Sequence, residues 1–153
     1  MTYVTDRRTA NARRGEAAVG AELEAAGFAV TNLNDLVGNC PFADLLARND
    51  TTRLLIQVKT TETIEGLFGT PPGRVRALDV ISTDLGCHAI CAFVHLTGGG
   101  VVILYSRAAE VAVLAEEDEA AYPGKNRFHM NINQFDVTVD RIFELLTRYR
   151  DQL

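Results

Sequence analysis

The sequence predicts an α/β (α+β) domain with helices packed on a central mixed sheet. Three observations carry that prediction. An Ala- and Glu-rich segment near the start reads as a helix, two strand-turn-strand signals follow at 41–61 and 88–107, and helical segments separate and close them. With 153 residues and 47% hydrophobic content the chain fits one domain, 1–153, large enough to bury a core without disulfides or a structural metal.

Taken in order, ANARRGEAAVGAELEAA (10–26) forms the first helix and ends at Gly27, the residue type favoured just past a helix C-terminus. Its apolar stripe runs Ala12, Val19, Leu23, Ala26, and the missing step of that stripe is Glu16, a carboxylate on the face that should be buried. FAVTNLN (28–34) reads as a strand and DLVGNCP as a loop before the first hairpin. IEGLFGTPPGRVR, rich in Gly and Pro, reads as a long mobile loop, with a short helix at 76–85 after it. HAICAFVHL and VVILYSR flank the glycine turn TGGG as the second hairpin. AAEVAVLAEEDEA reads as a helix and RFHMNIN as a short strand. VDRIFELLTRYR closes the chain as a helix with Val139, Ile142, Phe143, Leu146 and Tyr149 along one side.

Bulk composition narrows the function classes. The longest apolar run, AICAFVHL, is too short to cross a bilayer, and the arginine-bearing start lacks the apolar segment of a secretory signal, so no membrane association and a cytoplasmic location are expected. Three cysteines, Cys40, Cys87 and Cys91, form no even framework and suit a reducing compartment. A net charge of -5 argues against a protein that coats nucleic acid non-specifically. The charge is uneven, however. Arg7, Arg8, Arg13 and Arg14 crowd the start, as a DNA contact or a disordered tail, whereas Glu110, Glu116, Glu117, Asp118 and Glu119 crowd a later segment.

The hairpin PFADLLARNDTTRLLIQVKTT (41–61) places Asp44, Gln57 and Lys59 in strands otherwise built of Leu, Ile and Val. Charged groups are depleted in strands, and one facing a core is costly unless paired or bound to something. A turn symmetric about Asp50 and Thr51 sets 44 opposite 57 and 46 opposite 55. Alternation then gives one apolar face, Ala43, Leu45, Ala47, Leu54, Ile56 and Val58, and a second face with Phe42, Asp44, Leu46, Leu55, Gln57 and Lys59. Opposed residues have Cβ atoms roughly 4.5–5.5 Å apart, within reach of one small ion. The Asp44 carboxylate, the Gln57 amide oxygen and the main-chain carbonyl of Val58 form a ligand set for a hard cation such as Mg²⁺, and Lys59 is placed to hold or deprotonate a water or to meet charge on a phosphate. The competing reading is a solvated face with an incidental Asp44–Lys59 ion pair, which contributes little.

At these residues the sequence resembles the PD-(D/E)xK nuclease-like superfamily, which includes restriction endonucleases and Holliday-junction resolvases. RRGEAAVGAELEAAGFAV is similar to the family's N-terminal helix, with Glu16 as its acidic residue; Asp44 in CPFAD falls on the Asp motif, and QVK, Gln57 to Lys59, on the last motif. Ala43 stands where Pro usually precedes the Asp, and Gln57 replaces the commoner carboxylate. The latter removes one formal charge from the metal site, a Q-x-K variant also found in active members. The resemblance covers roughly residues 13–61. It implies a restriction-endonuclease-like αβββαβ core and a Mg²⁺- or Mn²⁺-dependent endonuclease acting on DNA, with Asp44, Gln57, Lys59 and Glu16 catalytic. It also implies that a homodimer is plausible. The alternative is an inactive nuclease-like fold serving as a nucleic-acid-binding or protein-assembly module; a small-ligand-binding domain is a third reading. On this account Asp44→Ala leaves the fold intact, with stability rising slightly if it changes.

Other constellations carry less. Cys87, Cys91 and His95 recur every four residues, a zinc spacing on a helix, but four residues of strand span about 13 Å. The two cysteines read as core residues. TGGGV lacks the helix and Lys of a phosphate loop. Lys125, Arg127 and His129, with Arg74 and Arg76, are candidate phosphate contacts on solvated loops.

Overall fold

The structure, a computed structural model, describes residues 3–37, 40, 43–63, 67–70, 72–122 and 128–131. Helix α1 (Tyr3–Ala25) leads into strand β1 (Ala29–Asn32), the short helix α2 (Leu33–Val37) and the hairpin β2 (Leu45–Arg48) and β3 (Arg53–Thr61). Strand β4 (Leu67–Thr70) and helix α3 (Pro72–Asp84) follow, then β5 (His88–Thr97), β6 (Gly100–Arg107), helix α4 (Ala108–Ala121) and β7 (Phe128–Asn131). Five strands form a mixed sheet in the order β1-β2-β3-β5-β6, parallel only between β3 and β5; β4 and β7 pair separately. The expected helix, three strands, helix, strand order around a mixed sheet is found with two additions, the short helix α2 after β1 and strand β4 before α3.

Turn chemistry fixes the register of the first hairpin. Asn49 Oδ1 accepts hydrogen bonds from the Thr51 and Thr52 amides, at 3.0 and 2.8 Å, and the Asn49 N–H donates to Thr52 O. An Asn that folds onto its own following backbone makes a tight, centred turn. Leu45 therefore faces Ile56 and Leu46 faces Leu55, the register expected from symmetry.

Alternation distributes two cores over the two faces of the sheet. On one face, Val19 and Leu23 of α1 pack against Leu45, Ala47, Leu54, Ile56, Ile90, Ala92 and Val94. On the other, Val75 and Leu78 of α3 and Val111 and Ala115 of α4 cover Leu55, Ala89, Cys91 and Phe93. Phe68 of β4 meets Phe93 edge-on at 5.1 Å between ring centroids. Strand β5 runs between the two cores, and its near-continuous apolar run is what burial on both faces demands. Each fully buried Leu, Ile or Val side chain contributes on the order of 1.5–3 kcal/mol.

Several expectations are corrected. Helix α1 begins at Tyr3, not residue 10, so the four arginines lie on a helix and not on a disordered tail; Arg13 and Arg14 are exposed. Ala12 and Ala26 are exposed too, leaving Val19 and Leu23 as the buried stripe. The expected loop DLVGNCP contains the end of α2, and the Gly/Pro-rich segment holds β4 and the first turn of α3. Ala43 packs with the α3/α4 core, because the chain bends at Asp44 before β2 begins. Phe42, Lys125, Arg127 and the closing helix at 139–150 lie outside the described residues, and of His129 only the β7 backbone is described. Cys87 and Cys91 are buried and His95 lies on β5, its Nε2 2.7 Å from Thr63 O.

Candidate active site

The sheet opens at one end. Strand β2 pairs with β3 only over Arg53–Ile56, whereas β3 runs on to Thr61 alongside β5. In any strand, N–H and C=O groups of alternate residues point to the same edge. The Asp44 N–H donates to Ile56 O at 2.9 Å, so Val58, two residues on, turns both its N–H and its C=O toward the edge that β2 has vacated. Asp44 fills that edge: its Oδ2 accepts the Val58 N–H at 2.8 Å. The bend that takes Asp44 out of β2 thus turns its carboxylate onto the rim of β3.

The β2–β3 register ends at Leu45–Ile56, short of Asp44, while Gln57, the residue before Val58, is 6% exposed and pairs with Cys91 of β5. Its Oε1 is buried and has no hydrogen-bond partner among the described residues. A buried amide oxygen left unsatisfied costs about 1–3 kcal/mol, and such an atom in a natural protein calls for an explanation. Lys59 is half-buried, two residues along the same side of β3 and paired with Phe93. Burial pushes the Cys91 thiol up to about 12, and the nearby Lys59 charge pulls in the opposite direction. The hairpin face that carries Gln57 is therefore not solvated: Leu55 is buried and Leu46 packs against the same core.

Glu16 reaches this rim from α1. Its Oε1 accepts hydrogen bonds from Asn32 Nδ2 and Asn34 Nδ2, both at 3.0 Å. Asn34 Nδ2 also donates to Asp44 Oδ1 at 3.0 Å, so one amide links the two carboxylates. Asn34 is held in turn: its Oδ1 accepts the Cys40 N–H at 2.8 Å, and its N–H donates to Asn32 Oδ1 at 2.9 Å. Helix α1 approaches closely enough for this because residue 15 is glycine. A Cβ there would collide with Thr60 Oγ1 and lie 3.1 Å from Thr60 Cβ.

The structure thus brings Glu16, Asp44 and the Val58 peptide into one hydrogen-bonded array, with Gln57 and Lys59 on the adjoining side of β3. Sequence reasoning missed Asn32 and Asn34. Their signal was present, since two asparagines at spacing two in FAVTNLN interrupt an otherwise apolar strand reading. Arg76 is not a free phosphate contact: it donates to Glu119 at 3.0 Å and lies 3.6 Å from Glu116. Those carboxylates raise its pKa further, the Glu119 hydrogen bond most.

A mixed five-stranded sheet flanked by helices, with polar residues gathered where β2 parts from β3, is a restriction-endonuclease-like fold. Among solved structures the chain is similar to Archaeoglobus fulgidus Hjc, a Holliday junction resolvase from an archaeal hyperthermophile. The TM-score is 0.59 with 18% identity, over 84% of this chain and 93% of that one. No protein-family model and no curated protein matches the sequence. Among the described residues, no helix is long and apolar enough to cross a membrane.

Proposed function

We propose that the protein is a divalent-metal-dependent endonuclease that hydrolyses phosphodiester bonds in DNA at the rim of β3. The observation that carries this reading is Gln57 Oε1, buried and without a hydrogen-bond partner among the described residues, one residue from the Val58 peptide whose N–H Asp44 accepts. An amide oxygen, a carboxylate and a turned-out peptide carbonyl along one stretch of β3 suit a hard cation that takes oxygen ligands and retains waters. Asp44, Gln57 Oε1 and the Val58 carbonyl would hold Mg²⁺ or Mn²⁺. When bound, the ion lowers the pKa of a coordinated water and polarises a phosphoryl oxygen.

The chain's own groups supply the rest. Lys59, half-buried on β3, offers an ammonium to orient a water or to offset charge building on the phosphate. Glu16, half-buried and held by two asparagines through Oε1, keeps its other carboxylate oxygen, Oε2, without a hydrogen-bond partner among the described residues. Asp44 is held by two donors, so it does not reorganise as substrate arrives. Similarity to a resolvase makes a four-way DNA junction the substrate to try beside a duplex. Cutting both strands calls for two sites, and a homodimer supplies them.

Cleavage of a four-way junction and nicking of a supercoiled plasmid, with Mg²⁺ or Mn²⁺, test the reading. The parent cuts at least one of them, Asp44→Asn does not, and Lys59→Ala loses cleavage while keeping metal affinity. A parent that binds DNA but neither cuts it nor binds metal is instead a nucleic-acid-binding module on a nuclease-like fold.

A further inference from the structure

We propose that Asn34 is a positioning residue that holds Glu16 out of direct contact with the metal, so that the site takes a single divalent cation and Glu16 acts through water. The inference rests on the nuclease reading above and on the geometry of one amide. Asn34 Nδ2 spends both of its hydrogens, one on Glu16 Oε1 and one on Asp44 Oδ1, each at 3.0 Å. Its orientation is fixed, because Oδ1 accepts the Cys40 N–H and a flipped amide would set two donors against each other.

Distances decide what this permits. Two acceptors on the two hydrogens of a planar amide, with about 120° between the N–H bonds, lie roughly 5.2 Å apart. An ion that binds oxygen at about 2.1 Å spans at most about 4.2 Å between two ligands, so Mg²⁺ cannot take both of these oxygens while the amide stands between them. With shared ligation through these two oxygens closed, the cation sits at Asp44 on the side of the Val58 peptide, near Gln57, whose buried Oε1 lacks a partner among the described residues. Asn32 reinforces the arrangement by donating to the same Glu16 oxygen. The amide thus occupies the place where a second or shared cation would otherwise neutralise two carboxylates.

Calorimetric titration of the metal-free full chain with Mn²⁺ tests this, in the parent, Glu16→Gln, Asp44→Asn, Asn34→Ala, Asn34→Ser and Asn34→Ala/Glu16→Gln. The parent is expected to bind one Mn²⁺; Glu16→Gln shifts its affinity less than about threefold and Asp44→Asn weakens it at least thirtyfold, as expected for water-mediated and direct ligation respectively. With the amide gone, Glu16 closes on the ion: Asn34→Ala binds Mn²⁺ more tightly or takes a second ion, and adding Glu16→Gln now costs at least about tenfold. Two ions in the parent, or Glu16→Gln as damaging as Asp44→Asn, overturns the inference while leaving the nuclease reading standing. So does an Asn34→Ala protein whose metal binding is unchanged. Should Asn34→Ala fail to fold, Asn34→Ser and the parent against Glu16→Gln decide the question in the same way. Absence of any Mn²⁺ binding in the parent overturns both.

Discussion

Asp44 supports the chain as well as the proposed ion, which changes what its removal should do. Its Oδ2 takes the Val58 N–H and its Oδ1 the Asn34 amide. The sequence alone suggested that Asp44→Ala would be harmless to the fold or slightly stabilising; given these two bonds it should lower stability by about 1–3 kcal/mol, since a half-buried peptide N–H loses its acceptor. Asp44→Asn keeps an acceptor oxygen and should cost less. Chemical denaturation of both variants checks the order. Gln57 should behave in the opposite way. Replacing it with Leu removes a buried oxygen that has no partner among the described residues, so Gln57→Leu should be neutral or stabilising by about 1 kcal/mol in the metal-free protein while weakening Mn²⁺ binding. A large destabilisation would mean that Gln57 serves the core. At this scale Asp44, Gln57 and Lys59 were legible because charge and amide groups in a strand stand out against period-two alternation. Asn34 stood out by its polarity too, but its role did not, because that depends on three partners brought from α1, the bend at Asp44 and Cys40, which no local pattern joins.

Between elements, the contact that brings Glu16 to the rim is the crossing of α1 over β3. Gly15 is buried there against Thr60, whose own hydroxyl is buried without a partner among the described residues. Gly15→Ala improves helix propensity by close to 1 kcal/mol, yet overpacking a β-branched neighbour costs about 1–3 kcal/mol, so the net effect should be destabilising. Thr60→Ala in the same chain should restore most of the loss, measured as a shift in thermal midpoint; an additive double variant would show that the two do not touch. The hairpin register was readable because an Asx turn centres on Asp50 and Thr51, and its symmetry needs only counting. Strand β4 was not. It pairs with β7, about sixty residues on in sequence, and a four-residue strand in a Gly- and Pro-rich segment carries no local signature of so distant a partner. Helix α2 was hidden likewise by its five-residue length.

Across the whole molecule, charge is divided by the sheet. Arg13 and Arg14 are exposed on α1, next to Glu16 in sequence, whereas Glu116 and Glu119 lie on α4, on the opposite face, where they engage Arg76. A net charge of -5 is therefore compatible with a local basic approach to the rim of β3. Arg13→Ala/Arg14→Ala should weaken DNA binding and reduce the salt slope of log K by up to about 2, whereas Arg74→Ala should change neither. Gel shifts across a salt series measure both. The mixed sheet and its flanking helices were legible as a whole because element order constrains the layers. The central claim is that Asp44, Gln57 and the Val58 peptide hold a catalytic cation, and an anomalous difference map from crystals soaked in Mn²⁺ reads it directly. The account predicts one peak about 2.0–2.3 Å from an Asp44 carboxylate oxygen and from Gln57 Oε1. A peak elsewhere, or none at saturating Mn²⁺, would contradict it.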